Sequence, residues 1–255
     1  MRVDIYLFQN EYVKSRQKAK NLILSQNVKI DGRIIDKPSF EIEDSIGHVV
    51  EISNDCPYVS RGGLKLEAII NHAKIDVKNK ICIDIGASSG GFTDCLLQNG
   101  AKIVYAIDSG TNQLDSTLKN DQRVISYENL NARFLEKSLF KSLADLITID
   151  VSFVSQTLIM ASAFSLLSEN GQYVSLIKPQ FEAGRANIGK GGIVKEKKAR
   201  LLAVMRVIEF AQQFSYNCTH FIKSPILGGD GNVEYLAVFS KNATPINKEI
   251  IKELI

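Results

Sequence analysis

Residues 80 to 109 constrain the fold of this chain most. Lys80-Ile-Cys-Ile-Asp-Ile-Gly-Ala-Ser-Ser-Gly-Gly-Phe-Thr93 is an apolar run feeding a turn of small residues. Val104-Tyr-Ala-Ile-Asp-Ser109 is a second apolar run that ends in an acid. A helix from Phe92 to Gln98, stopped at Asn99-Gly100, joins them into a βαβ unit. Gly86, Gly90 and Gly91 let the backbone turn sharply and approach a ligand with no Cβ in the way. Asp108, about 22 residues after Gly86, falls at the carboxyl end of the second strand, where an acid accepts ribose hydroxyls. The unit therefore predicts a nucleoside-bearing cofactor. Its spacing suits a dinucleotide and a methyl donor alike, but the order G-A-S-S-G-G lacks the G-x-G-x-x-G pattern that seats a pyrophosphate. The candidate cofactor-binding set is Asp84, Gly86, Ser88, Gly90, Gly91, Phe92, Asp108 and Asn131. Glu128 competes with Asn131, and helix packing is the alternative for Phe92.

The 255 residues suffice for one large domain with a smaller one beside it. A net charge of +3 is mild, so nucleic-acid binding has to come from local patches. Cys56, Cys82, Cys95 and Cys218 form no C-x-x-C pair, which predicts neither a zinc site nor a disulfide framework and favours the cytoplasm. The start, Met1-Arg-Val-Asp-Ile-Tyr6, lacks the apolar core of a secretory signal. The longest mainly apolar stretch, Thr157 to Leu167, falls short of the roughly 18 to 20 residues that span a bilayer. No membrane span is expected.

Residues 1–53 read as a separate small α+β domain, 54–60 as a linker and 61–255 as the large domain. In the small domain Ser15 can cap a helix through Arg16, Lys18, Ala19, Leu22 and Ile23. Val28-Lys-Ile-Asp-Gly-Arg-Ile-Ile35 reads as a hairpin turning at Asp31-Gly32, and His48 to Ile52 as a further strand. Between Lys14 and Lys37 seven bases face two acids, a net +5 that suits a phosphate backbone or, equally, a solvated helix face.

The large domain alternates strands, near 81–85, 103–107, 124–127, 145–149 and 173–177, with helical patterns at Lys65–His72, Phe92–Gln98, Thr157–Leu167 and Lys198–Phe214. This predicts an α/β fold with a mostly parallel sheet covered on both faces. Two closing strands, about 219–223 and 234–240, are joined too briefly to be parallel to each other. Asp150 follows Leu146-Ile-Thr-Ile149 and Lys178 follows Tyr173-Val-Ser-Leu-Ile177, so both lie at carboxyl ends of strands, where ligands bind in such sheets. Lys65 opens the first helix of this domain and Glu234 the last strand. A glycine-rich basic segment, with Arg185, Lys190, Lys195, Lys197, Lys198 and Arg200 against Glu182 and Glu196, reads as an RNA-binding loop or a solvated one.

Two resemblances carry these readings further. Ser15-Arg-Gln-Lys-Ala19 with Val28-Lys-Ile-Asp-Gly-Arg-Ile-Ile-Asp-Lys-Pro38 resembles the S-four RNA-binding domain. Lys65, Asp150, Lys178 and Glu234 resemble the Lys-Asp-Lys-Glu tetrad of FtsJ-class ribose 2′-O-methyltransferases. Together with Tyr58-Val-Ser-Arg-Gly-Gly-Leu-Lys65, Asp150-Val-Ser-Phe-Val-Ser155, Leu176-Ile-Lys-Pro-Gln-Phe-Glu182 and Ser224-Pro-Ile-Leu-Gly-Gly-Asp-Gly-Asn-Val-Glu-Tyr235, they make the whole chain similar to the TlyA family. The resemblance implies a Rossmann-like methyltransferase with a seven-stranded sheet whose last strand is antiparallel. It implies S-adenosylmethionine as cofactor, ribosomal RNA or ribosomal subunits as partner, and methylation of a cytidine 2′-oxygen in large-subunit RNA, with small-subunit RNA a further target of longer members. Lys65, Asp150, Lys178 and Glu234 are then the catalytic residues, and Arg16, Lys18, Lys20, Lys29, Arg33, Arg61, Lys190 and Lys195 the RNA-binding ones. The family also carries a hemolysin label, so a pore-forming virulence factor is one alternative. A non-catalytic RNA-binding assembly protein is another, and it leaves the four matched polar positions idle.

Overall fold

A computed structural model describes every residue except 14, 25–26, 44–46, 53–55, 190 and 229–230, and the side chains of residues 17 and 21. The chain divides into two compact units, Met1–Arg61 and Gly62–Ile255.

The first unit holds helices α1 (Val3–Gln9) and α2 (Arg16–Leu24) and strands β1 (Val28–Ile30), β2 (Arg33–Ile34) and β3 (Val50–Ile52). The strands form one antiparallel sheet in the order β2-β1-β3. Ser15 caps α2 as expected, its hydroxyl accepting the Lys18 N–H at 3.1 Å. Asp31 and Gly32 both take positive φ, 51° and 77°, the conformation a two-residue hairpin turn requires. Val3, Leu7, Ala19, Ile23, Val28 and Ile30 close the core. The third strand is shorter than the expected His48–Ile52, because His48 turns aside to bond Asp31 Oδ2 through Nδ1 at 2.7 Å.

The second unit runs α3 (Gly62–Ala73), β4 (Ile81–Ile85), α4 (Gly91–Gln98), β5 (Ile103–Ile107), α5 (Ser116–Lys119), β6 (Val124–Tyr127) and β7 (Ala144–Ile149). It continues through α6 (Thr157–Ser165), β8 (Leu167–Ile177), α7 (Pro179–Glu182), α8 (Lys197–Gln212), β9 (Tyr216–Lys223), β10 (Tyr235–Lys241) and α9 (Lys248–Leu254). Seven strands form one sheet in the order β6-β5-β4-β7-β8-β10-β9. Pairing is parallel from β6 to β8, and β10 lies antiparallel between β8 and β9. The last strand in sequence is thus the antiparallel one, as the resemblance implied.

Alternation along the strands puts helices on both faces. Ile83 and Ile85 of β4 join a core with Met160 and Ala163 of α6 and Val204 and Ile208 of α8. Asp84, between them, points the other way and accepts a hydrogen bond from Thr93 of α4 at 2.7 Å. One expected boundary shifts: the helix begun at Thr157 stops at Ser165 instead of Leu167, because Leu167 pairs with Ala144 and starts an eleven-residue strand. The α3 helix begins at Gly62, so Lys65 lies in its first turn, and Glu234 directly precedes β10.

Candidate active site

The sheet reverses its strand order between β4 and β7, and the crevice at the carboxyl ends of such neighbours is where ligands bind. A cavity of about 520 Å³ opens there, within the size range of small-molecule sites. Gly86 and Ser88 after β4, Asp108 after β5, and Asp150 to Val154 after β7 line it. Asp108 is held by the turn it faces: its Oδ2 accepts the Ser88 N–H and its Oδ1 the Gly110 N–H, each at 2.7 Å. Gly86 takes φ +82°, and a Cβ there would lie 2.3 Å from the Asp150 carbonyl oxygen. Only glycine lets the ends of β4 and β7 come this close.

Asn131 lines the same cavity, and its side chain caps the following turn by accepting the Arg133 N–H at 3.1 Å. Its competitor Glu128 does not line the cavity; it pairs with Lys119 at 2.7 Å. Asp84, Gly90, Gly91 and Phe92, grouped with the cofactor residues from sequence, are not among the residues that line the cavity. Asp84 is fully buried, with one oxygen accepting from Thr93 and the other from Thr148 at 2.9 Å, and burial pushes its carboxyl up to about 7. Leu114 and Leu118 pack over Gly90, and Phe92 is buried in α4. Sequence reasoning missed Gln113 and the 151–154 segment as cavity lining. The motif Asp150-Val-Ser-Phe-Val-Ser155 carried the signal for the second; nothing marked the first.

The four tetrad positions resolve into two ion pairs. Lys65 Nζ meets Glu234 Oε2 at 2.6 Å, both side chains nearly sealed from solvent. Lys178 Nζ meets Asp150 Oδ1 at 2.5 Å and donates to Ser152 Oγ at 3.0 Å. Two strand ends explain the second pair: Asp150 terminates β7 and Lys178 terminates its neighbour β8, then caps α7. Asp150 and Ser152 also line the cavity, and Lys178, itself outside the lining, bonds to both. Lysines and glutamates are rarely this buried unless paired.

The basic candidates divide. In the first unit Arg16 bonds the buried Asp4 at 3.1 Å, Lys29 pairs with Glu51 at 3.9 Å, and Arg33 stacks over Phe40 at 5.0 Å. Lys18, Lys20 and Arg61 are half-buried there. In the second unit Lys195 is exposed, while Lys190 lies outside the described residues.

A family model described as FtsJ-like methyltransferase matches residues 58–241, and one described as S4 domain matches residues 1–49. Hemolysin A of Brachyspira hyodysenteriae is 42% identical, over 94% of this chain and 99% of that protein. The 16S/23S rRNA (cytidine-2′-O)-methyltransferase TlyA of Mycobacterium tuberculosis is 37% identical, over 92% of this chain and 87% of that protein. A solved structure from Streptococcus thermophilus that carries a hemolysin name superposes with a TM-score of 0.79 at 42% identity, covering 100% of this chain and 94% of that one.

Proposed function

We propose that this chain, which belongs to the FtsJ-like methyltransferase family, moves a methyl group from S-adenosylmethionine to the 2′-oxygen of a cytidine in large-subunit ribosomal RNA. The observation that carries the reading is the Lys178–Asp150 pair, because Asp150 belongs at once to that pair and to the wall of the nucleoside-sized cavity. The cavity suits the cofactor: Asp108 stands ready for ribose hydroxyls, and Ile107, Leu130, Val151 and Ile159 offer apolar walls to a base. When bound, S-adenosylmethionine supplies a methyl group on a sulfonium, which is displaced in line.

Positioning then does most of the catalytic work. We assign Lys178 to the ribose 2′-hydroxyl, which it orients by hydrogen bond while Asp150 and Ser152 orient Lys178 in turn. The hydroxyl proton goes to Lys178 Nζ as that ammonium hands one of its own to the Asp150 carboxylate, and the oxygen takes the methyl group. Lys65 and Glu234 complete the edge as a second pair. Gly86, Ser88, Asp108 and Asn131 are assigned to the cofactor; Asp84, Gly90, Gly91 and Phe92 do not line the cavity. RNA is assigned to Arg16, Lys18, Lys20, Lys29, Arg33 and Arg61 of the first unit and to the basic segment at Lys190 and Lys195.

Among the described residues no helix is long and apolar enough to cross a membrane. Labelled methyl incorporation from S-adenosylmethionine into unmodified ribosomal subunits, with separate large and small subunits as the two arms, tests the reading. Incorporation into the large subunit is expected; none into either would end it.

A further inference from the structure

The segment from Asp150 to Gln156 leaves β7 without regular secondary structure, yet it lines the cofactor cavity and supplies both partners of Lys178. Short helix α7, which begins directly after Lys178, holds it. At the last position of α7, Glu182 is only 2% exposed. Its Oε2 accepts the Ser155 hydroxyl at 2.5 Å and its Oε1 accepts the Gln156 N–H at 2.8 Å. Its own carbonyl oxygen accepts from Arg206 of α8 at 3.2 Å, which fixes the end of the turn.

The loop and α7 are therefore joined at both ends. Lys178 reaches Asp150 and Ser152 at the start of the loop, and Glu182 reaches Ser155 and Gln156 at its end. Between them the rings of Phe153 and Phe181 approach with centroids 5.2 Å apart. Burying a carboxylate costs free energy, and burial pushes the Glu182 carboxyl above its usual range. An apolar residue would close a helix turn more cheaply, so the buried acid points to its two hydrogen bonds.

We infer that Glu182 is a positioning residue for methyl transfer, clamping the loop that carries Asp150 and Ser152 against the helix that begins at Lys178. The inference rests on the methyl-transfer reading above. Its physical basis is that displacement of a catalytic group by about 1 Å costs on the order of 100-fold in rate.

The test compares Glu182→Ala, Glu182→Gln, Ser155→Ala and the Glu182→Ala/Ser155→Ala double variant in the full chain. Turnover at saturating cofactor, the dissociation constant for S-adenosylmethionine and the melting temperature are measured for each. Glu182→Ala is expected to lower turnover by about 10-fold to 100-fold and to weaken cofactor binding. Glu182→Gln recovers most of the loss, since an amide still accepts from Gln156 and can donate to Ser155. The double variant loses less than the sum of the two single losses, because Ser155 and Glu182 share one hydrogen bond while Ser155 also contacts Thr157. Wild-type turnover in Glu182→Ala overturns the inference, as does equal loss in the Ala and Gln variants at unchanged melting temperature. Where Glu182→Ala fails to fold, Ser155→Ala decides: undiminished turnover and cofactor affinity in it also overturn the clamp. If the wild-type protein transfers no methyl group, the functional reading has failed, and the ranking of cofactor affinities still judges the clamp.

Discussion

A Cβ on residue 86 would stand 2.3 Å from the carbonyl oxygen of Asp150, so the turn that forms the cavity wall and the strand end that holds Lys178 are fitted to each other. Gly86→Ala therefore carries two penalties: a side chain at φ +82° and an overlap with backbone. The sum is expected to destabilise the second unit by about 2 kcal/mol or more. Methyl transfer should fall further than stability predicts, because Asp150 has to move. Denaturant melts beside turnover measurements check this, and unchanged activity in the variant contradicts it.

Lys65 and Glu234 form a pair with almost no access to solvent. Glu234→Ala leaves a buried ammonium without its acid, at an expected cost of about 3 kcal/mol. Lys65→Met in the same chain should recover much of that stability without recovering methyl transfer. Activity restored by the double substitution would show that the pair is only structural.

The buried carboxyl of Asp84 gives stability a pH dependence of known sign. Burial raises its folded-state value to about 7, above the ordinary range near 3.8. Its contribution is thus fully present below about pH 3.8 and is lost as pH rises to about 7. Glu182 shifts in the same direction for the same cause. Asp84→Asn removes the charge while keeping a polar partner for Thr93 and Thr148. Relative to wild type the variant should gain stability as pH rises from about 3.8 to about 7, by on the order of 4 kcal/mol at most, and keep that margin above it. Melting curves across that range check it, and parallel curves for the two proteins contradict it.

The basic segment that leads into α8 yields a prediction about salt. Reversing Lys190, Lys195 and Lys197 to Glu should weaken RNA binding and flatten its salt dependence, by roughly 0.7 to 0.9 in log–log slope for each phosphate no longer neutralised. Filter binding at several salt concentrations measures the slope. An unchanged slope would move the RNA off this segment.

Much of the fold and part of the site were legible in the residues. Apolar runs that end in a polar residue located Asp108, Asp150 and Lys178 at strand ends, because a parallel strand buried on both faces can place polarity only there. The two-residue turn at Asp31-Gly32 and the cap at Ser15 were local chemistry, and local chemistry is what a sequence displays. Pairing was not local. Lys65 and Glu234 are 169 positions apart, and their meeting depends on β10 entering the sheet beside β8. Asp84 is the counterpart case: it follows the cofactor strand pattern, yet alternation turns it toward α4, and Thr148 reaches it only through the register of β4 with β7. The clamp at Glu182 was hidden for the same reason, since its partners lie 26 and 27 residues away, at the far end of the loop that leads from β7 into α6.

The most direct test of the account is where the methyl group goes and whether Lys178 is needed to send it there. Large-subunit RNA treated with the protein and labelled S-adenosylmethionine is hydrolysed in alkali, which cuts beside every free 2′-hydroxyl. Label is expected in one alkali-resistant dinucleotide containing a 2′-O-methylcytidine, with a loss of about 100-fold or more in Lys178→Ala and cofactor binding retained. Label on a base, or wild-type transfer by Lys178→Ala, would contradict it.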